Sequence, residues 1–172
     1  MLLAALGCGA FGCGGGAISP PGGGEMVCAL VGCHDQFSAN VTVDTTMVPA
    51  GTHTVAVTVD GATTSCTLQL PPSAELTNDP CSAGFALTVG PAQTCTTTQS
   101  ATVASQQCQP IDGEFVEAIT VDGRPGTIEV QQSVDGTVIF DQTVAPTYQT
   151  NQPNGPGCGP TCHQAGADWT IP

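Results

Sequence analysis

The chain contains no lysine and a single arginine, Arg124, against fourteen aspartates and glutamates, so its formal net charge is −13. Phosphate-backbone recognition needs clustered Lys and Arg, which excludes nucleic acid as a partner. The same lack removes a P-loop lysine, a kinase lysine and any Schiff-base chemistry. Charged residues of all kinds make up 9% of the chain and aromatics 4%. No apolar run reaches transmembrane length, and no window carries the helical repeat of apolar positions. A Gly-x-Ser-x-Gly nucleophile elbow is missing, as is an Asp-x-Asp-x-Asp-Gly calcium loop.

What is present points to strands. Leu, Ile, Val and Phe are only about a fifth of the 172 residues, at the edge of the disordered class for so acidic a chain. Against disorder stand the abundance of β-branched Thr, Val and Ile and the clean alternation of apolar residues in several windows. Ten cysteines can cross-link a core too thin to hold alone. The expectation is an all-β, disulfide-supported antiparallel β-sandwich, Ig-like or similar, formed by residues 28–172.

The N-terminus reads differently. Met1-Leu2-Leu3-Ala4-Ala5-Leu6-Gly7-Cys8 is an apolar run closed by a small residue and a cysteine. It resembles the tail of a bacterial lipoprotein signal peptide, in which that cysteine is lipidated. The resemblance implies a truncated signal segment over 1–8, lipidation of Cys8 and a protein held on the membrane, facing the periplasm or exterior. The run is short and no cation precedes it, defects that an earlier start codon would remove. Leu30-Val31-Gly32-Cys33 also fits the cleavage box but lacks the apolar run upstream. Residues 9–27 are rich in glycine and include Pro20-Pro21, so they read as a flexible tether with a reach of roughly 20–25 Å.

In the body, Phe37, Val41 and Val43 alternate with polar residues, and Thr52 to Val59 alternates again. Asp60-Gly61 predicts a two-residue hairpin that sets Val59 opposite Ala62, Val57 opposite Thr64, Val55 opposite Cys66 and His53 opposite Leu68. At the second Asp-Gly pair a two-residue turn would put the apolar faces on opposite sides. Parity therefore predicts a three-residue loop, Val134-Asp135-Gly136, with Val130 opposite Phe140. The predicted inward set is Phe37, Val41, Val43, Val55, Val57, Leu68, Phe85, Leu87, Ile119, Val130, Phe140 and Val144. Cys95 to Cys108 spans a Thr/Ser/Gln-rich hairpin or edge.

The residues that could carry chemistry are few. His34 sits beside Cys33 and Asp35 at the start of a strand, and His53 reads as a packing or rim residue. Cys158-Gly-Pro-Thr-Cys162-His163 and Cys28-Ala-Leu-Val-Gly-Cys33-His34 are widened forms of the haem-attachment pattern. By ligand type, Cys33, His34, Cys158, Cys162 and His163 also form a fallback metal set. An oxidising compartment favours disulfides instead, drawn from Cys28, Cys33, Cys66, Cys81, Cys95, Cys108, Cys158 and Cys162. A local bridge between Cys158 and Cys162 is expected, with Cys33 or Cys66 as the other partners open to them.

Cys33-His34-Asp35-Gln36-Phe37, Pro146-Thr147-Tyr148 and the stretch from Asn151 to Ala165, with its Asn-Gly-Pro-x-Cys-Gly-Pro-x-Cys segment, resemble a group of Gram-negative surface lipoproteins. That resemblance implies one β domain behind a lipid anchor and brings no activity with it. The function expected is a non-enzymatic, lipid-anchored envelope protein, a structural or binding module with a protein or glycan partner and no cofactor. The alternative is a secreted hydrolase or metal-dependent enzyme using His34, His163 and nearby carboxylates.

Overall fold

A computed structural model describes Cys28 and residues 31–72, 78–79, 81, 84–99 and 104–171. The signal-like segment 1–8, with Cys8, and the tether 9–27 lie outside the described residues. Ten strands follow in chain order: β1 (Gln36–Asp44), β2 (Gly51–Val59), β3 (Ala62–Leu70), β4 (Asn78–Asp79), β5 (Ala86–Gln99), β6 (Ala104–Asp122), β7 (Ile128–Val134), β8 (Thr137–Val144), β9 (Gln149–Asn151) and β10 (Cys162–Ile171). They form two sheets, ordered β4-β5-β6-β1-β10-β9 and β3-β2-β7-β8. No helix occurs among the described residues.

The two sheets face each other over the residues that alternation points inward. Phe37, Ala39, Val41, Val43, Val55, Val57, Ile119, Ile128 and Val130 are essentially solvent-free. Of the predicted inward set, only Leu68 and Val144 are partly buried, packed against that core. Burying a Val or Phe side chain contributes roughly 1.5–3 kcal/mol, so this layer is the main source of cohesion.

The sandwich is not antiparallel throughout. β1 and β10 pair parallel, Gln36 beside Gln164 through Val43 beside Ile171, while β1 pairs antiparallel with β6 on its other side. A parallel pair cannot be closed by a tight turn, and here its two strands lie at opposite ends of the chain. Contact between distant segments, not local pattern, decides that seam.

The first hairpin has the expected register, with Val55 opposite Cys66 and His53 opposite Leu68. Asp60 and Gly61 both take positive φ, 48° and 87°, the mirror-image turn whose twist suits paired strands. The expectation at the second Asp-Gly is corrected. Asp135 and Gly136 take the same conformation, 48° and 78°, and Val134 pairs with Thr137 across a two-residue turn. The extra residue that parity demands sits in β8, where the register shifts between Ser133, opposite Val138, and Gln132, opposite Phe140. A bulge within a strand repairs phase as well as a longer loop does, and it leaves the favoured turn intact.

β5 and β6 run past the sandwich. From Gln93 to Gln99 and from Ala104 to Pro110 every residue is exposed, with Cys95 opposite Cys108. The ribbon leaves the sheet where the β5–β6 register breaks between Pro91 and Gln93. There Gly113 adopts φ 78° and its carbonyl accepts both the backbone N–H and the hydroxyl of Thr45.

Candidate functional site

The structure brings His34, Asp35 and His163 to one end of the sandwich and leaves His53 in the core. Asp35 precedes β1 and His163 lies near the start of β10, one step before the Gln36–Gln164 pair of the parallel seam. Asp35 Oδ1 accepts the backbone N–H of His163 at 2.7 Å and lies 3.2 Å from its ring Nδ1. Asp35 Oδ2 faces Nε of Arg124, the chain's one cation, at 3.3 Å. The His163 N–H bond first, then the His163 ring and the Arg124 charge, hold the Asp35 carboxyl below its ordinary range. His34 lies 3.8 Å from Asp122, both well exposed.

Neighbouring loops are tied into the same end. Asp60 Oδ1 accepts the backbone N–H groups of Gly126 and Thr127, each at 2.9 Å. Tyr148 donates its hydroxyl to the Pro125 carbonyl at 3.1 Å, and burial, then the Asp60 charge, raises its phenol pKa. A carboxylate that orients a histidine is half of a hydrolytic constellation. Here Asp35 also holds the β10 backbone and the β6–β7 turn. Among the described residues no hydroxyl or thiol hydrogen-bonds the His163 ring. The arrangement is that of a latch joining three segments.

The cysteines are paired as Cys28–Cys158, Cys33–Cys162, Cys66–Cys81 and Cys95–Cys108. The expected local bridge between Cys158 and Cys162 is therefore corrected. The parallel seam draws the segment before β1 alongside the loop before β10, so each of the two reaches a cysteine near the N-terminal side, at Cα separations of 5.6 and 5.9 Å. The fallback metal set loses its thiolates by the same pairing, because Cys33, Cys158 and Cys162 are each bonded to another sulfur. Among the described residues no group of three or more His, Cys, Asp or Glu side chains is placed to hold a metal ion.

A second polar cluster lies between the sheets. His53 on β2, Glu117 on β6 and Gln132 on β7 are fully buried. The Gln132 amide donates to Glu117 Oε1 at 3.0 Å and contacts His53 Nδ1 at 3.0 Å, while His53 Nε2 donates to the Pro49 carbonyl at 2.8 Å. An amide NH2 only donates, so His53 Nδ1 is the acceptor and the ring is the neutral Nε2–H tautomer. Glu117 Oε2 has no partner among the described residues. Desolvation, opposed by the Gln132 bond, raises the Glu117 pKa from 4.5 to about 7. Neither Glu117 nor Gln132 is among the candidate residues named from the sequence, although the signal exists. Each stands on the inward parity of its strand, Glu117 in phase with Ile119 and Val121, and Gln132 in phase with Val130 and Val134.

Comparison with protein-family models, with curated proteins and with solved structures finds no match. The fold and these clusters define a disulfide-laced β-sandwich with a latched end and a polar triad in its core.

Proposed function

We propose that the protein is a lipid-anchored module of a bacterial cell envelope, non-enzymatic, held by a lipid on Cys8 and facing the periplasm or exterior. The observation that carries this reading is the double clamp at the start of the domain. Cys28 and Cys33 join the segment that follows the tether to Cys158, in the loop before β10, and to Cys162, the first residue of β10. Four disulfides in one domain belong to an oxidising compartment. Their placement suits a tethered domain, since a pull arriving through residues 9–27 meets covalent bonds at Cys28 and Cys33 before it reaches the hydrogen bonds of β1. The resemblance of the Asn154–Cys162 segment to Gram-negative surface lipoproteins supports the same location. The latch at Asp35 supports a structural role, because its carboxylate is engaged in joining segments.

The test is fractionation of cells expressing the gene with its upstream start extended, wild type beside Cys8→Ser. The wild type should sediment with membranes and show an acyl mass at Cys8. The variant should be released with its disulfides intact by non-reducing mass measurement. A variant that stays membrane-bound as the wild type does would overturn the anchoring.

A further inference from the structure

We propose that the β5–β6 ribbon is a self-association arm, and that two copies of this chain join by antiparallel pairing of their β5 edges over Gln93–Gln99. The inference does not depend on the anchoring proposed above.

Among the described residues, β4 covers β5 only at Leu87 and Thr88, and β1 covers β6 only from Glu114 onward. Among the described residues, the ribbon beyond Gln93 thus presents unpaired backbone on both edges. The Cys95–Cys108 Cα separation of 4.0 Å marks a pair that does not share hydrogen bonds across the ribbon, so both residues turn their N–H and C=O groups outward. By alternation Gln93, Cys95, Thr97 and Gln99 offer outward groups, whereas Thr94, Thr96 and Thr98 bond to β6.

Folded proteins protect such edges with charge, proline or strong twist. Here no charged residue occurs between Asp79 and Asp112, and the β5 edge from Gln93 to Gln99 has no proline. In a chain of net charge −13, that is a place where two copies can meet without repulsion. The two edges differ. The β6 edge contains Pro110, which has no N–H, and runs on to Asp112 and Glu114. The β5 edge has all its donors and is preceded by Pro91 and Ala92. Other ligand classes fit poorly, because the arm has no aromatic ring to stack on a sugar and no cation.

The register that uses the whole free β5 edge pairs Gln93 with Gln99 of the second copy and Cys95 with its Thr97, about eight backbone hydrogen bonds in all. It sets Thr96 opposite Thr96 across the twofold axis and makes a continuous four-stranded ribbon, β6-β5-β5-β6.

The experiment is sedimentation velocity on the oxidised full chain over a concentration series, with hydrogen exchange at its two ends. The wild type should dimerise, and the amides of Thr97 and Gln99 should gain protection with concentration. Those of Thr96 and Thr98 should be protected at every concentration. Thr97→Pro removes an outward donor without touching the ribbon's own bonds and should weaken the dimer about tenfold or more. Gln106→Pro does the same on the β6 edge and should leave it unchanged. Thr96→Glu keeps every backbone group, faces solvent in the monomer and sets two carboxylates against each other in the dimer, so it should abolish association. A wild type that stays monomeric at high micromolar concentration would overturn the proposal. So would a dimer that survives Thr96→Glu, or one that Gln106→Pro weakens as much as Thr97→Pro does.

Discussion

Glu117 is the residue at which burial and charge collide. The unfolded chain releases its proton near 4.5, whereas the folded protein holds it to about 7. A carboxyl with a raised folded pKa contributes stability that is complete below the unfolded value and is lost as pH rises through the folded one. Stability should therefore fall by about 3 kcal/mol between pH 4.5 and 7, following 1.36 kcal/mol per unit. Asp35 and Asp44 act in the opposite sense. The His163 backbone N–H lowers the first, and the Thr46 hydroxyl lowers the second, so their contributions disappear in acid below the ordinary carboxylate value. Maximum stability is expected at about pH 4–5, below the range usual for globular proteins. Urea unfolding at a series of pH values measures this. Glu117→Gln keeps an acceptor for the Gln132 amide and should flatten the curve from pH 4.5 to 7. A variant that still loses stability there would assign the effect to another group.

At the level of elements, the two Asp-Gly hairpins show how far pattern reaches. Both share one turn because Asp and Gly supply the two positive φ values it needs, and the phase error of the second is absorbed inside β8. Sequence parity detects that a residue must be extra and is silent on where it goes, since loop and bulge satisfy the same count. The β5–β6 ribbon is an element of another kind, lacking any core. A two-stranded hairpin alone is marginal in water, and the bridge between Cys95 and Cys108 is what holds this one. Replacing both cysteines with serine should strip amide protection from Thr94, Thr96 and Thr98 on β5 and from Ser105, Gln107 and Gln109 on β6, the residues paired across the ribbon. The midpoint for unfolding of the sandwich should stay nearly unchanged. A large fall in that midpoint would show that the arm is coupled to the core.

For the whole molecule, the decisive joint is the seam of β1 and β10 with its two bridges. Cys28–Cys158 and Cys33–Cys162 close almost the same long loop, with separations of 130 and 129 residues. With either one present, the other closes only the small ring between them. Chain entropy then assigns about 3 kcal/mol to the first bridge lost and about 5 kcal/mol to the second. Removing Cys33 and Cys162 together should cost clearly less than removing all four cysteines, and the second step should exceed the first. Equal steps in denaturant unfolding would contradict a shared loop.

The strands flanking the Asp-Gly turns, the first hairpin register and more than half of the core follow from the sequence by itself, because period-two alternation and Asp-Gly turn chemistry act over a few residues. The absence of lysine and of any cluster of cations is likewise read from composition alone. Tertiary structure decided the rest. The parallel seam, the disulfide partners across about 130 residues and the meeting of Asp35 with Arg124 and His163 all join positions far apart in the chain, which no local period records. The triad of His53, Glu117 and Gln132 lies between these cases. Each residue's inward parity is written in its own strand, but only the stacking of one sheet on the other brings the three within hydrogen-bond distance and turns three polar intrusions into one buried network.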